Sequence, residues 1–245
     1  MNITQFLRDL VNHTHSLSII DSIKITPEEN SVRIDSISED KSIILMGHTL
    51  DVVDDFEDTF GLTNLTKLKY LLNCSEYQNN STISVTKEKI KNKEIPTGLH
   101  FVNETSDFQN SFKFMSEALI NSKISSLTFK VNTWNVDFEP TAAAISKFKA
   151  QAGANSEESI FNVRVKNNNL IFQFGEDNNH NGSLIFCPNV QGKLKHEHSW
   201  PIKQVQDILS LEGEKQMLFA DVGALQITVT TELVVYNYII PAVLK

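Results

Sequence analysis

Residues Pro140–Ala152 read PTAAAISKFKAQA. Proline is accepted at a first helical turn, where its missing N–H is not needed, and alanine is the strongest helix former, so the stretch predicts a helix. Far upstream, Ile3–Asn12 (ITQFLRDLVN) sets Ile3, Phe6, Leu7, Leu10 and Val11 at the spacing of one buried helical stripe. Leu62–Asn73 (LTNLTKLKYLLN) does the same with Leu65, Leu68, Leu71 and Leu72. Trp200–Ser210 (WPIKQVQDILS) does so with Ile202, Val205, Ile208 and Leu209, with Ser199 as its expected cap and Pro201 early.

Nearly everything else predicts short strands: 18–25, 31–37, 41–48, 82–86, 98–103, 127–133, 160–166, 170–174, 183–187, 216–219, 225–231 and 234–240. Asn167-Asn168-Asn169 is a hairpin signal, because asparagine tolerates the left-handed conformation. The order is helix, three strands, helix, two strands, then helix, three strands, helix, three strands. The first helix corresponds to the third and the second to the fourth, which is a duplication of topology without residue identity. The polar stretch Asn110–Ser125 reads as irregular. It sets an N-terminal domain at 1–110, an interdomain connector at 111–125 and a C-terminal domain at 126–245. Each domain is expected to be α+β, a sheet with two helices on one face.

The chain has 245 residues, 22 Lys+Arg and 30 Asp+Glu, for a net charge of -8. That total argues against a nucleic-acid binder until the charges are sorted by element. The four helices hold Arg8, Lys67, Lys69, Lys147, Lys149 and Lys203 against Asp9 and Asp207 only. The other 16 cations and 28 acids lie elsewhere, as in Asp51–Asp58 (DVVDDFED) and Glu157-Glu158. A molecule with one surface for a polyanion and another that repels it carries its charges this way.

No nucleotide-binding or nucleophile-elbow motif occurs. Cys74 and Cys187 lack partners at metal-site spacing and read as reduced and at least half-buried. His196 and His198 share a face in a strand but bring no third ligand, so no metal is expected. DVVDDFED lacks the glycine and ligand spacing of a calcium loop and reads as a solvated turn. No apolar run reaches membrane-spanning length, and the N-terminus has no signal-peptide core. No cofactor and no enzyme activity are expected. In Val234–Lys245 (VVYNYIIPAVLK), alternation puts Val234, Tyr236, Tyr238 and Ile240 on one face. Val235, Asn237 and Ile239 fall on the other, marked as wetter by Asn237. Pro241 is expected to end ladder pairing.

FEPTAAAISKFKAQAGA (Phe138–Ala154), WPIKQVQDIL, MLFADVGALQITV and VVYNYIIPA resemble the second domain of DNA polymerase sliding clamps. The likeness is to the clamps of T-even-type bacteriophages, by topology over the whole chain and by sequence over roughly its last hundred residues. It implies duplicated clamp domains closed head to tail as a homotrimeric ring, with helices lining the hole and sheets forming the wall. It further implies that the ring encircles double-stranded DNA, tethers the replicative DNA polymerase as a processivity factor, and is opened by an ATP-driven clamp loader. The setting would be the cytoplasm of an infected bacterium. The DNA-facing residues would be Arg8, Lys67, Lys69, Lys147, Lys149 and Lys203, with Lys69 and Lys149 nearest the apolar edges of their helices. A partner peptide would dock on Ile239, Pro241, Ala242 and Val243, near the connector. The competing expectation is a β-rich phage structural or assembly protein, which needs no basic face.

Overall fold

The computed structural model describes residues 1–78, 80–90, 93–124, 131–176 and 180–243. The chain forms two compact units, Met1–Thr128 with Thr231–Tyr236, and Phe129–Thr230 with Asn237–Lys245.

The first unit runs α1 (Ile3–Thr14), β1 (Ser22–Pro27), β2 (Val32–Ile37), β3 (Ile44–Thr49), β4 (Phe60–Thr63), α2 (Leu65–Asn73), β5 (Thr82–Ile90), β6 (Lys93–Val102), β7 (Gln109–Lys113) and α3 (Glu117–Lys123). Antiparallel strands pair in the order β4-β1-β2-β3 and, separately, β5-β6-β7. The second unit runs β8 (Val136–Phe138), α4 (Ala142–Ala154), β9 (Ile160–Lys166), β10 (Asn169–Phe174), β11 (Gly182–Cys187), β12 (His198–Pro201), α5 (Ile202–Leu209), β13 (Glu214–Ala220), β14 (Ala224–Thr230) and β15 (Val234–Pro241). Its orders are β11-β10-β9-β12 and β15-β14-β13-β8. The first three residues of β15 count with the first unit, where Val235 lies beside Gly47 of β3.

Helix, four strands, helix, three strands therefore occurs twice, and the fold is α+β. Four strands were missing from the sequence reading: β4, β7, β8 and β12. β4 and β12 have four residues each, too few to establish a period. β12 occupies His198–Pro201, so α5 starts at Ile202 and Ser199 does not cap it. The Ser199 hydroxyl instead donates to Asn162 Oδ1 at 2.6 Å across the β9–β12 pair. The α4 cap is Thr141, whose Oγ1 accepts from Ala144 N at 3.1 Å, and Pro140 lies outside the helix. Asn110–Ser125 is not irregular: it contains most of β7 and all of α3. Ile120 (0% exposed) seats α3 against Gly61, where an added Cβ would come within 2.8 Å of it. Of the strand expected at 127–133, residues 127–130 lie outside those described, and 131–133 are not strand. Asn167 and Asn168 have φ of 51° and 59° and turn β9 into β10 as expected.

α1, α2 and α5 bury the stripes expected of them. Phe6, Leu7 and Leu10 of α1 are fully buried, and the Asn2 side chain caps its first turn. Asp9, the one acid of α1, is turned inward, accepting from Tyr236 Oη at 2.7 Å beside His13, which stacks on that ring. In the second unit, Phe148 sits among Phe161, Phe172, Phe174 and Phe186, with ring centroids 5.1–6.2 Å away. Trp200 is fully buried and donates Nε1–H to Ile240 O at 3.2 Å.

Asp35 of β2 is a buried acid, 2% exposed, 2.9 Å from Arg33 Nε. Burial raises its pKa against the opposing pull of Arg33. Ionised Asp35 thus lowers stability at neutral pH relative to its protonated form. Asp35→Asn is expected to raise the unfolding midpoint at pH 7. The gain is complete above the folded pKa and vanishes below the ordinary value of 3.8. Thermal melts of both proteins across that range check it; equal midpoints at every pH would count against it.

Candidate nucleic-acid interface

The six helical cations are not equivalent. On α2, Lys67 is exposed and Lys69 half-buried. Arg8 of α1 is committed inside the first unit. Its Nη2 donates to Leu72 O at 3.3 Å and Gln78 Oε1 at 3.2 Å, while its buried Nε has no partner. Arg8 thereby satisfies a carbonyl at the α2 C-terminus, where a cation is favoured. With Asp9 turned inward and no acid in α2, the outer faces of these two helices carry little to oppose Lys67 and Lys69.

In the second unit, Lys147 is exposed and Lys149 half-buried on α4. Lys203 of α5 is exposed but pairs with Asp207, one turn on, at 2.5 Å. Such exposed i,i+4 pairs are weak, about 0.3–0.5 kcal/mol, so the ammonium remains available to a stronger anion. Lys149 and Lys203 line one hollow of about 510 Å³ with Ala152, Gly153, Ser159 and Ile202. Lys215 was missed by sorting charges on helices, because it stands on β13. Burial lowers its pKa and nearby Lys149 lowers it further, so a concentration of positive charge extends from α4 to the start of β13.

The proposed partner residues fall into two groups. Ile239 is 3% exposed and cannot form a groove wall in this structure; β15 is covered on both faces at that point. Pro241, Ala242 and Val243 do line a depression of about 460 Å³, with Glu197, His198 and Val222. Val222 and Val243 are 77% and 41% exposed there. Pro241 is the last residue of β15, as expected; beyond the strand Ala242 N donates to Gly223 O and Val243 N to Ser199 O, both at 2.8 Å. In the first unit, a hollow of about 540 Å³ lies between the end of α3 (Lys123, Ile124) and Ile37–Lys41.

His198 Nε2 lies 2.8 Å from Asp221 O, which can only accept, so that nitrogen carries a proton and is not free to bind a metal. No group of three or more His, Cys, Asp or Glu able to hold a metal occurs among the described residues. DVVDDFED is not simply a solvated turn. Val53 and Phe56 anchor it in the core, Glu57 pairs with Lys87 at 2.7 Å, and Asp58 with Lys93 at 2.8 Å. These partners stand on β5 and β6, about thirty residues away, beyond the reach of local pattern. No described helix is long and apolar enough to cross a membrane.

No protein-family profile and no curated protein matches the sequence. Solved structures do match it over nearly its whole length. The PCNA of Thermococcus kodakaraensis superposes with a TM-score of 0.67 at 12% identity, covering 99% of this chain and 98% of that one. The PCNA of A. fulgidus, solved with the C-terminal region of FEN-1 bound, gives 0.70 at 8%, covering 99% and 96%. Proliferating Cellular Nuclear Antigen from Entamoeba histolytica gives 0.69 at 11%, covering 98% and 96%. The chain has the fold of the PCNA-type sliding clamps.

Proposed function

We propose that this protein is a sliding clamp that closes as a homotrimeric ring around double-stranded DNA and tethers a replicative polymerase as its processivity factor. The observation that carries the reading is the charge segregation on a clamp fold. Lysines project from α2, α4 and α5, and the chain's acidic excess lies outside these helices. Exposed lysines on helices grip phosphate without reading bases, and a loose grip permits sliding. Lys67, Lys69, Lys147, Lys149 and Lys203 are the DNA-facing set, with Arg8 a lesser member because of its bonds to Leu72 and Gln78. The sequence likeness of the last hundred residues supports a T-even-type phage clamp, opened by an ATP-driven loader in the host cytoplasm. Of the stretch 111–125 expected as the connector between domains 1–110 and 126–245, the part after β7, with α3, is left to serve as one.

Two sheet edges support ring closure. β7 and β11 each have a neighbour on one side only in their sheets. By the duplication, β11 corresponds to β3 and β7 to β15, two strands that meet within the first unit where Val235 lies beside Gly47. A β11–β7 pairing between copies repeats that contact, is heterologous, and closes when the rotation returns to its start. Ile185, 52% exposed on β11, would then be covered. A partner peptide would dock at Pro241, Ala242 and Val243, with Val222 as added apolar wall; the bound FEN-1 segment on the A. fulgidus protein supports a peptide-docking surface on this fold.

The native mass should equal three chains. Loaded protein should stay on closed circular DNA and slide off when the circle is cut. Equal retention on cut and closed DNA would refute topological binding.

A further inference from the structure

Among the described residues, one large apolar side chain on α1, α2, α4 or α5 stands in solvent: Tyr70 of α2, 72% exposed. Isolated exposed hydrophobic residues are ordinary, so its surroundings must decide. Thr66, Tyr70 and Asn73 follow the i, i+4, i+7 spacing of one helical stripe, and all three are exposed. Lys67 is exposed one turn before Tyr70, on the neighbouring row. No Asp or Glu occurs in α2. Thr66 Oγ1 also meets His15 Nε2 at 3.4 Å, bringing a further polar group from the turn after α1. The stripe thus combines an ammonium, hydroxyls and an amide with one aromatic ring, and no carboxylate of its own repels phosphate.

We propose that Tyr70 is a contact for the DNA backbone. Its phenol O–H donates to a phosphate oxygen and its ring lies against the adjoining deoxyribose. This rests on the clamp reading and assigns to it a residue that charge sorting could not find, because tyrosine carries no charge. It also makes the contact physically distinct from that of lysine. Lysine binding releases condensed counterions and weakens with salt. An uncharged phenol donor with apolar cover neutralises no phosphate and releases none, so Tyr70 adds affinity that salt does not remove.

The test is affinity of the full chain for a short random-sequence duplex, measured by fluorescence anisotropy over a range of salt. Tyr70→Ala is expected to weaken binding about fivefold, the factor for one net hydrogen bond, with an unchanged salt slope. Tyr70→Phe should lose most of that factor. Lys67→Gln should reduce the slope by about one. Equal thermal midpoints would verify that the variants fold. If Lys67→Gln weakens binding while Tyr70→Ala binds as wild type, the Tyr70 contact is wrong and the clamp reading stands. A reduced salt slope in Tyr70→Ala would also overturn the proposal, since it would place the effect on neighbouring lysines. If neither variant alters binding, the DNA-facing assignment of α2 fails with it.

Discussion

Phe148→Ala is expected to cost about 3–5 kcal/mol and to unfold the second unit under conditions where the first persists. Phe148 is fully buried and projects from α4 into a cluster of four phenylalanines from β9, β10 and β11. The other buried residues of α4 are alanines, Ala144 and Ala152, so the helix itself offers no side chain that could fill the space. The void would therefore persist, and cavity cost adds to the lost transfer energy. Both tryptophans, Trp134 and Trp200, lie in the second unit, so their fluorescence follows its denaturation. Phe148→Leu should lose less, since it retains more of the volume. A loss below about 1 kcal/mol for the alanine variant would mean that α4 is held by its edges rather than by this ring.

The combined reversal Lys67→Glu, Lys147→Glu, Lys203→Glu is expected to abolish retention on circular DNA while leaving the thermal midpoint near that of wild type. All three side chains are exposed, and surface changes of this kind usually alter stability little. Loss of the three proposed phosphate contacts per chain should flatten the salt dependence by about 2.7 in slope per chain, and the introduced carboxylates would repel the backbone in addition. Lys203 should contribute least in single variants, because Asp207 already attracts it. Native mass separates a DNA defect from an assembly defect: the triple variant should keep the mass of the wild type. A variant that stays on circles as wild type does would favour the competing structural-protein reading, for which this face has no use.

Much of the architecture was legible as periodicity. Leu65, Leu68, Leu71 and Leu72 announce a helix wherever it packs, and Asn167-Asn168 announces a hairpin because few other residue types adopt positive φ so readily. The elements that escaped were short. α3 has seven residues, with Ile120 as its one buried side chain. β12 has four and was read as the start of a helix. Ile239 was assigned to a wet face because Asn237 shares its alternation. Asn237 instead accepts from Thr228 Oγ1 at 2.8 Å and Gln226 Nε2 at 3.2 Å, so a polar side chain there marks a hydrogen-bonded network rather than open water.

The sequence by itself determined the repeated order of helices and strands and placed cations on the helices. Both follow from residue spacing within a few turns. Tertiary structure decided which of those charges remain available. It tied Arg8 to Leu72 and Gln78 across 64 and 70 residues, turned Asp9 toward Tyr236 across 227, and placed the acidic turn against Lys87 and Lys93. A local pattern fixes which side chain an element presents; whether an opposite charge meets it depends on chain closure over distances that no period encodes.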